Sequence, residues 1–212
     1  MTRRSKTDSA KPAQKPVQAV TSKPDPRPVL LAAERDPQQI GTILSAYGLH
    51  DIDQADRNLQ AIAGDPHHRR QLAEILPILL DSISRTADPD QALNHWERLF
   101  GEVTRSSFLD YLRSSPRMLD LLCTIFGNSD ALAFTVIRDP MLVYWLSEEA
   151  VLSKPPAQKE LETALHKSLA HLTVKEMKLE ALRRFRRREM LRIGVRDLLR
   201  LSPVPETTAS LS

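Results

Sequence analysis

The chain has 212 residues, of which 41% are hydrophobic and 27% charged, with one cysteine and a formal net charge of +3. That length supports one domain, or two small ones, around a core that needs no disulfide staples. One cysteine excludes an internal disulfide, no apolar run reaches the ~18 residues of a membrane span, and no apolar segment follows the basic start as a secretory leader requires.

The net charge conceals an uneven distribution. Residues 1–28 carry seven Lys/Arg against Asp8 and Asp25, leaving −2 for the remainder of the chain. Basicity confined to a tail and one helix does not make a nucleic-acid-binding face, so neither DNA nor RNA is an expected partner. The tail is rich in Lys, Pro, Ala, Ser and Gln. It has too few large apolar residues to offset its ordering entropy and is expected to be disordered.

From residue 29 onward the pattern is helical. Five Asp-Pro or Ser-Pro pairs give a start signal, a capping residue followed by proline in the first turn: Asp36-Pro37, Asp65-Pro66, Asp88-Pro89, Ser115-Pro116 and Asp139-Pro140. Gly48 reads as a stop, and Gly127-Asn128 suits a left-handed C-cap. The spacing predicts helices over 37–47, 51–63, 66–84, 89–103, 106–113, 116–126, 129–137, 140–147, 157–171 and 174–201. Pro77 falls inside the third and should kink it at Leu76. Phe134-Thr135-Val136-Ile137 has strand propensity but helical flanks and no partner strand. The expected fold is all-α, an irregular multi-helix array ending in a long arginine-rich helix.

That last helix is the most informative stretch. Thr173 and Glu176 read as a T-x-x-E capping box, and strong helix formers follow until Pro203, giving about 27 residues and roughly 40 Å. Leu179, Leu182, Phe185, Met190 and Ile193 share one stripe. Leu191, Val195 and Leu198 form a second stripe on the other side of the later half. Seven arginines lie between Arg183 and Arg196. Their mutual repulsion is only partly offset by Glu189 and Asp197. Arg183, Arg184, Arg187, Arg188, Arg192 and Arg196 are therefore candidates to meet an anion or an acidic partner, competing with a reading as an ion-paired helix with two packing faces. If the second stripe lacks a partner within the chain, Leu191, Val195 and Leu198 should be exposed and the protein should self-associate.

Other chemistry is poorly supported by the residues. The six histidines contain no i,i+4 pair and there is no second cysteine, so no zinc site is expected. His67-His68 reads as a solvated pair and Cys123 as a buried small residue. No phosphate-loop or dinucleotide glycine motif occurs. Gly127-Asn128-Ser129 resembles a nucleotidyltransferase turn but lacks the carboxylate pair that should follow. Asp51-Ile52-Asp53 has that carboxylate spacing but opens a helix, where acids favour the dipole. Trp96, Phe100, Phe108 and Tyr111 read as core, and Tyr144 and Trp145 as packing anchors.

The order of residues does carry a family signature. Ala181-Leu182-Arg183-Arg184-Phe185-Arg186-Arg187-Arg188-Glu189-Met190-Leu191-Arg192-Ile193-Gly194-Val195-Arg196-Asp197-Leu198-Leu199 closely resembles the segment leading into the first catalytic domain of bacterial glutamine synthetase adenylyltransferases. Upstream, Tyr47-Gly48-Leu49 with Asp51, Leu76-Pro77-Ile78-Leu79-Leu80, Asp88-Pro89-Asp90 with Ala92-Leu93, Ser115-Pro116 with Leu119, Phe126-Gly127-Asn128-Ser129 with Leu132, and Asp139-Pro140 with Trp145-Leu146 agree in order. The resemblance covers roughly 29–203, leaving 204–212 as a truncated linker.

It implies a cytoplasmic enzyme that transfers AMP from ATP to a tyrosine of glutamine synthetase and removes it by phosphorolysis, using Mg²⁺. It also implies glutamine synthetase, and a PII-type signalling protein, as partners. The family's glycine-rich turn and Asp-x-Asp pair have no matching positions here, so no catalytic, metal or cofactor residue is carried over and no cofactor is expected on this chain. The chain is then expected to be an inactive N-terminal fragment, or one subunit of a split enzyme, requiring a missing nucleotidyltransferase domain. The alternative is a stand-alone helical binding module or degenerate remnant.

Overall fold

The computed structural model describes residues 23–201. Among them are twelve helices and no strand: α1 (Pro28–Leu31), α2 (Pro37–Ala46), α3 (Ile52–Ala63), α4 (Pro66–Ile83), α5 (Pro89–Glu102), α6 (Arg105–Ser114), α7 (Pro116–Phe126), α8 (Asp130–Arg138), α9 (Met141–Leu146), α10 (Glu149–Ser153), α11 (Gln158–Leu169) and α12 (Lys175–Leu198). The all-α expectation holds. None of these helices is long and apolar enough to cross a membrane.

Local chemistry explains most of the boundaries. The Asp36, Asp51, Asp65 and Asp88 carboxylates each accept from a first-turn backbone N–H, satisfying donors that have no partner inside the helix. Ser129 caps α8 through the N–H of Leu132. Gly48, at φ +81°, ends α2 in the conformation glycine tolerates. α4 runs on through Pro77.

Two of the five expected caps do not form. Ser115 makes no side-chain capping bond. α9 starts a residue late, with Pro140 at its N-cap, so the Asp139 side chain is not spent on capping. The Thr173–Glu176 box is also absent: Val174 holds the N-cap of α12, and the helix ends at Leu198, short of Pro203. Gly127 ends α7 at φ −93°, not left-handed. α1 and α10 are additions, at four and five residues too short to display a periodicity.

Part of the expected tail is ordered. Pro26 is buried, the Lys23 ammonium pairs with Asp81 at 3.1 Å, and Tyr47 donates to the Pro24 carbonyl at 2.8 Å. The expected disorder of residues 1–22 and the expected linker 204–212 lie outside the described residues.

The core runs from α1 to α10 and takes in Leu191 and Val195 of α12. Trp96, Phe108 and Phe126 are fully buried; Trp96 meets Phe126 edge-on at 5.2 Å, and Phe100 meets Phe108 at 5.5 Å. α4 lies against α6 and α7, and α5 against α3, α7 and α8. Cys123 sits in this core as the sequence suggests, its thiol 3.9 Å from the Leu79 carbonyl, and burial pushes it up to about 12. The thiolate is the reactive form. Native protein at pH 8 should therefore resist alkylation by iodoacetamide, and denatured protein should react fully. Stoichiometric labelling of the native chain by mass spectrometry would contradict that burial.

α12 docks with its later half. Leu191 and Val195 are fully buried against a surface drawn from α7, α8 and α10. The Arg196 side chain, 4% exposed, donates to the Leu152 carbonyl next to the end of α10. Gly194 permits this approach, since a Cβ there would come within 2.8 Å of the Leu132 side chain. This corrects the expectation that Leu191, Val195 and Leu198 are unpartnered. The stripe left to solvent is the other one: Leu179, Leu182 and Met190 are about two-fifths exposed. The earlier half of α12 pairs with α11, which buries no residue of its own.

Candidate functional site

The six candidate arginines do not act as one group. Repulsion along the helix is relieved by carboxylates of the helix itself, and their positions sort the cations. Glu180 accepts from the Arg187 guanidinium at 2.9 Å and lies 3.7 Å from that of Arg183. The Arg187 hydrogen bond, helped by the charges of Arg187, Arg183 and Arg138, holds the Glu180 carboxyl below the usual range. Glu189 accepts two bonds from Arg188, at 3.0 and 3.2 Å, and its other oxygen is 3.3 Å from Arg192 Nε.

Arg188 and Arg192 also face the indole of Trp145, with guanidinium carbons 5.2 and 5.0 Å from its centroid. Such contacts stabilise by about 0.5–2 kcal/mol each. Trp145 is thus the packing anchor the sequence suggests, and it anchors α9 to α12 through cations. Burial pushes the Arg192 guanidinium down, Arg188 and Arg196 add to this, and Glu189 opposes it. Arg192 Nε and Glu189 Oε2 are buried with no hydrogen bond among the described residues, so their ion pair is close but poorly aligned. Arg188, Arg192 and Arg196 are therefore structural cations.

Arg183 and Arg184 are exposed, and Arg187 is half-buried. Arg186, outside the candidate set, is exposed as well. Arg184 and Arg187 open onto a polar recess of about 320 Å³ between α12 and the junction of α8 with α9. Thr135, Arg138, Asp139, Leu142 and Glu180 complete its wall. A larger groove of about 630 Å³ separates α8 from α12, with Leu132 and Ile193 in it and Arg183 and Arg186 on its edge. The contribution of Arg138 escapes sequence reasoning, because it lies on another helix 46 residues before Arg184. Asp139 is missed because its Asp-Pro pair reads as a cap.

The fragments that imitate a nucleotidyltransferase site are structural. Asp51 caps α3, and Asp53 sits in its first turn. A second pair with the same spacing, Asp88 and Asp90, is also occupied: Asp88 caps α5, and Asp90 accepts from the backbone N–H groups of His50 and Asp51. Among the described residues, no three His, Cys, Asp or Glu side chains are grouped to hold a metal ion.

Fold and cluster together define an all-helical scaffold that presents arginines around a recess. The comparisons place it more narrowly. Residues 119–212, which include the whole arginine helix, match the family described as glutamate-ammonia ligase adenylyltransferase. The bifunctional glutamine synthetase adenylyltransferase/adenylyl-removing enzyme of Corynebacterium glutamicum is 30% identical over 175 residues, covering 80% of this chain and 17% of that protein. The enzyme of the same name from Leifsonia xyli is 31% identical over 178 residues, covering 82% and 18%. That from Xanthobacter autotrophicus is 32% identical over 128 residues, covering 60% and 13%. No solved structure matches. The resemblance carried by the arginine segment therefore holds, and the chain is a relative of the glutamine synthetase adenylyltransferases. It spans less than a fifth of the length of these relatives.

Proposed function

We propose that these 212 residues are the helical frame of a glutamine synthetase adenylyltransferase/adenylyl-removing enzyme, and that they do not supply its chemistry. AMP transfer from ATP to a tyrosine of glutamine synthetase, and its phosphorolytic removal, would occur on a Mg²⁺-dependent nucleotidyltransferase domain carried elsewhere. This would be a cytoplasmic activity in nitrogen assimilation, with glutamine synthetase and a PII-type signalling protein as partners. The observation that carries this reading is the match itself. It runs through about four-fifths of the chain in two relatives, while the two Asp-x-Asp pairs of the chain lie at helix starts, Asp51 and Asp88 as caps and Asp90 holding backbone N–H groups.

In this frame Arg188, Arg192 and Arg196 fix α12 against the body. Arg183, Arg184 and Arg187 are the cations that face an anion or partner. Purified chain should bind adenylylated glutamine synthetase but release no AMP from it when orthophosphate is added. Adding the nucleotidyltransferase portion of a relative should bring phosphate-dependent release above that of the added portion alone. AMP release by the chain alone would overturn the non-catalytic assignment. Absence of both binding and stimulation would overturn the role altogether.

A further inference from the structure

We propose that the recess between α8 and α12 is a binding site for a phosphoryl oxyanion, made by Arg138, Arg184 and Arg187, with Glu180 as its built-in competitor. This refines the anion-facing reading of α12 above, although the site stands on its own geometry.

Three guanidiniums open onto one cavity of about 320 Å³ from two different helices. Arg184 and Arg187 are three residues apart on α12 and so share a face. Arg138 is in the last turn of α8. A surface helix that merely spreads its charge has no need of a cation from a neighbouring element. Two carboxylates, Asp139 and Glu180, also line the recess, and they leave it with a net positive charge. Glu180 is engaged by Arg187 at 2.9 Å and by Arg183 at 3.7 Å. Arg138 and Arg184 have no carboxylate within ion-pair distance among the described residues. The charge of Arg138 nevertheless reaches Glu180, so both lie around the same space.

Two carboxylates, of which Glu180 alone is ion-paired to a guanidinium of the recess, thus neutralise part of a three-guanidinium cluster. A phosphate has more acceptor oxygens and up to two charges, and guanidinium forks match its oxygens in pairs. The Thr135 hydroxyl stands on the same wall. It donates to the Ala131 carbonyl at 2.9 Å, so its hydrogen is already committed and it is not counted among the donors to the anion. A free orthophosphate and the phosphate of a nucleotide present the same chemistry to this site.

The test is titration calorimetry of the 212-residue chain with orthophosphate, and separately with AMP, at low ionic strength. Arg138→Gln and Arg184→Gln should each weaken binding by about tenfold, the loss of one charge-assisted contact. Both side chains are exposed, so circular dichroism should stay unchanged. Glu180→Gln should tighten binding several-fold, because it removes the competing anion and releases Arg187. Arg113→Gln, on α6, removes the same charge at a distance and should leave the affinity unchanged.

Binding of orthophosphate identifies free phosphate as a sufficient ligand, whereas binding of AMP alone identifies a nucleotide; either supports the proposal if the arginine variants weaken it. No heat with either ligand at millimolar concentration overturns it, as does an affinity that Arg113→Gln lowers as much as Arg184→Gln. Failure here with glutamine synthetase binding retained would remove this site and leave the framework reading intact.

Discussion

Leu191→Asp is expected to release the later half of α12 from the body while helices α2 to α8 remain folded. The docking of this half rests chiefly on Leu191 and Val195, both fully buried. Burying two such side chains stabilises by roughly 3–6 kcal/mol in total. An ionised carboxylate at the same place costs several kcal/mol to desolvate. The cost rivals the whole docking energy, so the helix should lift off in preference to burying the charge. Amide hydrogen exchange across residues 191–198 should accelerate toward that of an isolated helix, with protection in α4 and α5 retained. Leu179→Asp, on the exposed stripe, should change exchange little, because surface substitutions usually fall within about 0.5 kcal/mol. Equal protection of residues 191–198 in wild type and Leu191→Asp would refute the assigned docking face.

The same helix shows what a sequence can and cannot disclose. Helical spacing alone gives α12 two apolar stripes, and both exist. Which stripe meets protein depends on where α7, α8 and α10 end up, and this is not a local property. The small residue at Gly194 was the available clue, because it sits one position before Val195 and lets α12 approach Leu132. Caps follow a similar rule. Asp36, Asp65 and Asp88 are legible because their carboxylates reach N–H groups within the same turn. Asp139 has the same Asp-Pro signature, yet a one-residue shift in the start of α9 leaves it in the recess beside Arg184. The arginines of α12 were visible as a run, but their division into structural and outward-facing cations depends on Trp145, Leu152 and Arg138, residues distant in sequence. The family was legible because the order of residues survives even where their roles in the fold cannot be read.

Gly127→Ala is expected to destabilise the chain by about 3 kcal/mol, at the upper end of ordinary overpacking costs. The backbone conformation is not the reason, since φ −93° and ψ 2° are open to other residues. Space is the reason. A Cβ on Gly127 would overlap Thr86 Oγ1 and Thr86 Cβ. Thr86 has little freedom to retreat: its hydroxyl donates to the Ile83 carbonyl at 2.7 Å, and its backbone N–H donates to the same oxygen at 2.9 Å. Gly127 is fixed from the other side, where its carbonyl accepts from the Asp88 N–H at 3.0 Å and the preceding Phe126 carbonyl accepts from Gln91 at 3.0 Å. The turn from α7 to α8 is thereby stitched to the turn from α4 to α5, and a methyl group would force them apart. For a chain of this size the loss should lower the melting temperature by about 6–12 °C. Thr86→Gly should recover much of it in the double variant, whereas Thr86→Ala should not, because its Cβ remains in the way. Gly101→Ala meets nothing within 4 Å inside α5 and should stabilise the chain slightly. A wild-type melting temperature for Gly127→Ala, combined with lost oxyanion or nucleotide binding, would instead make Gly127-Asn128-Ser129 a phosphate-contacting turn. A lower melting temperature rescued at Thr86 would show that this glycine serves the joint between the α4–α5 and α7–α8 turns.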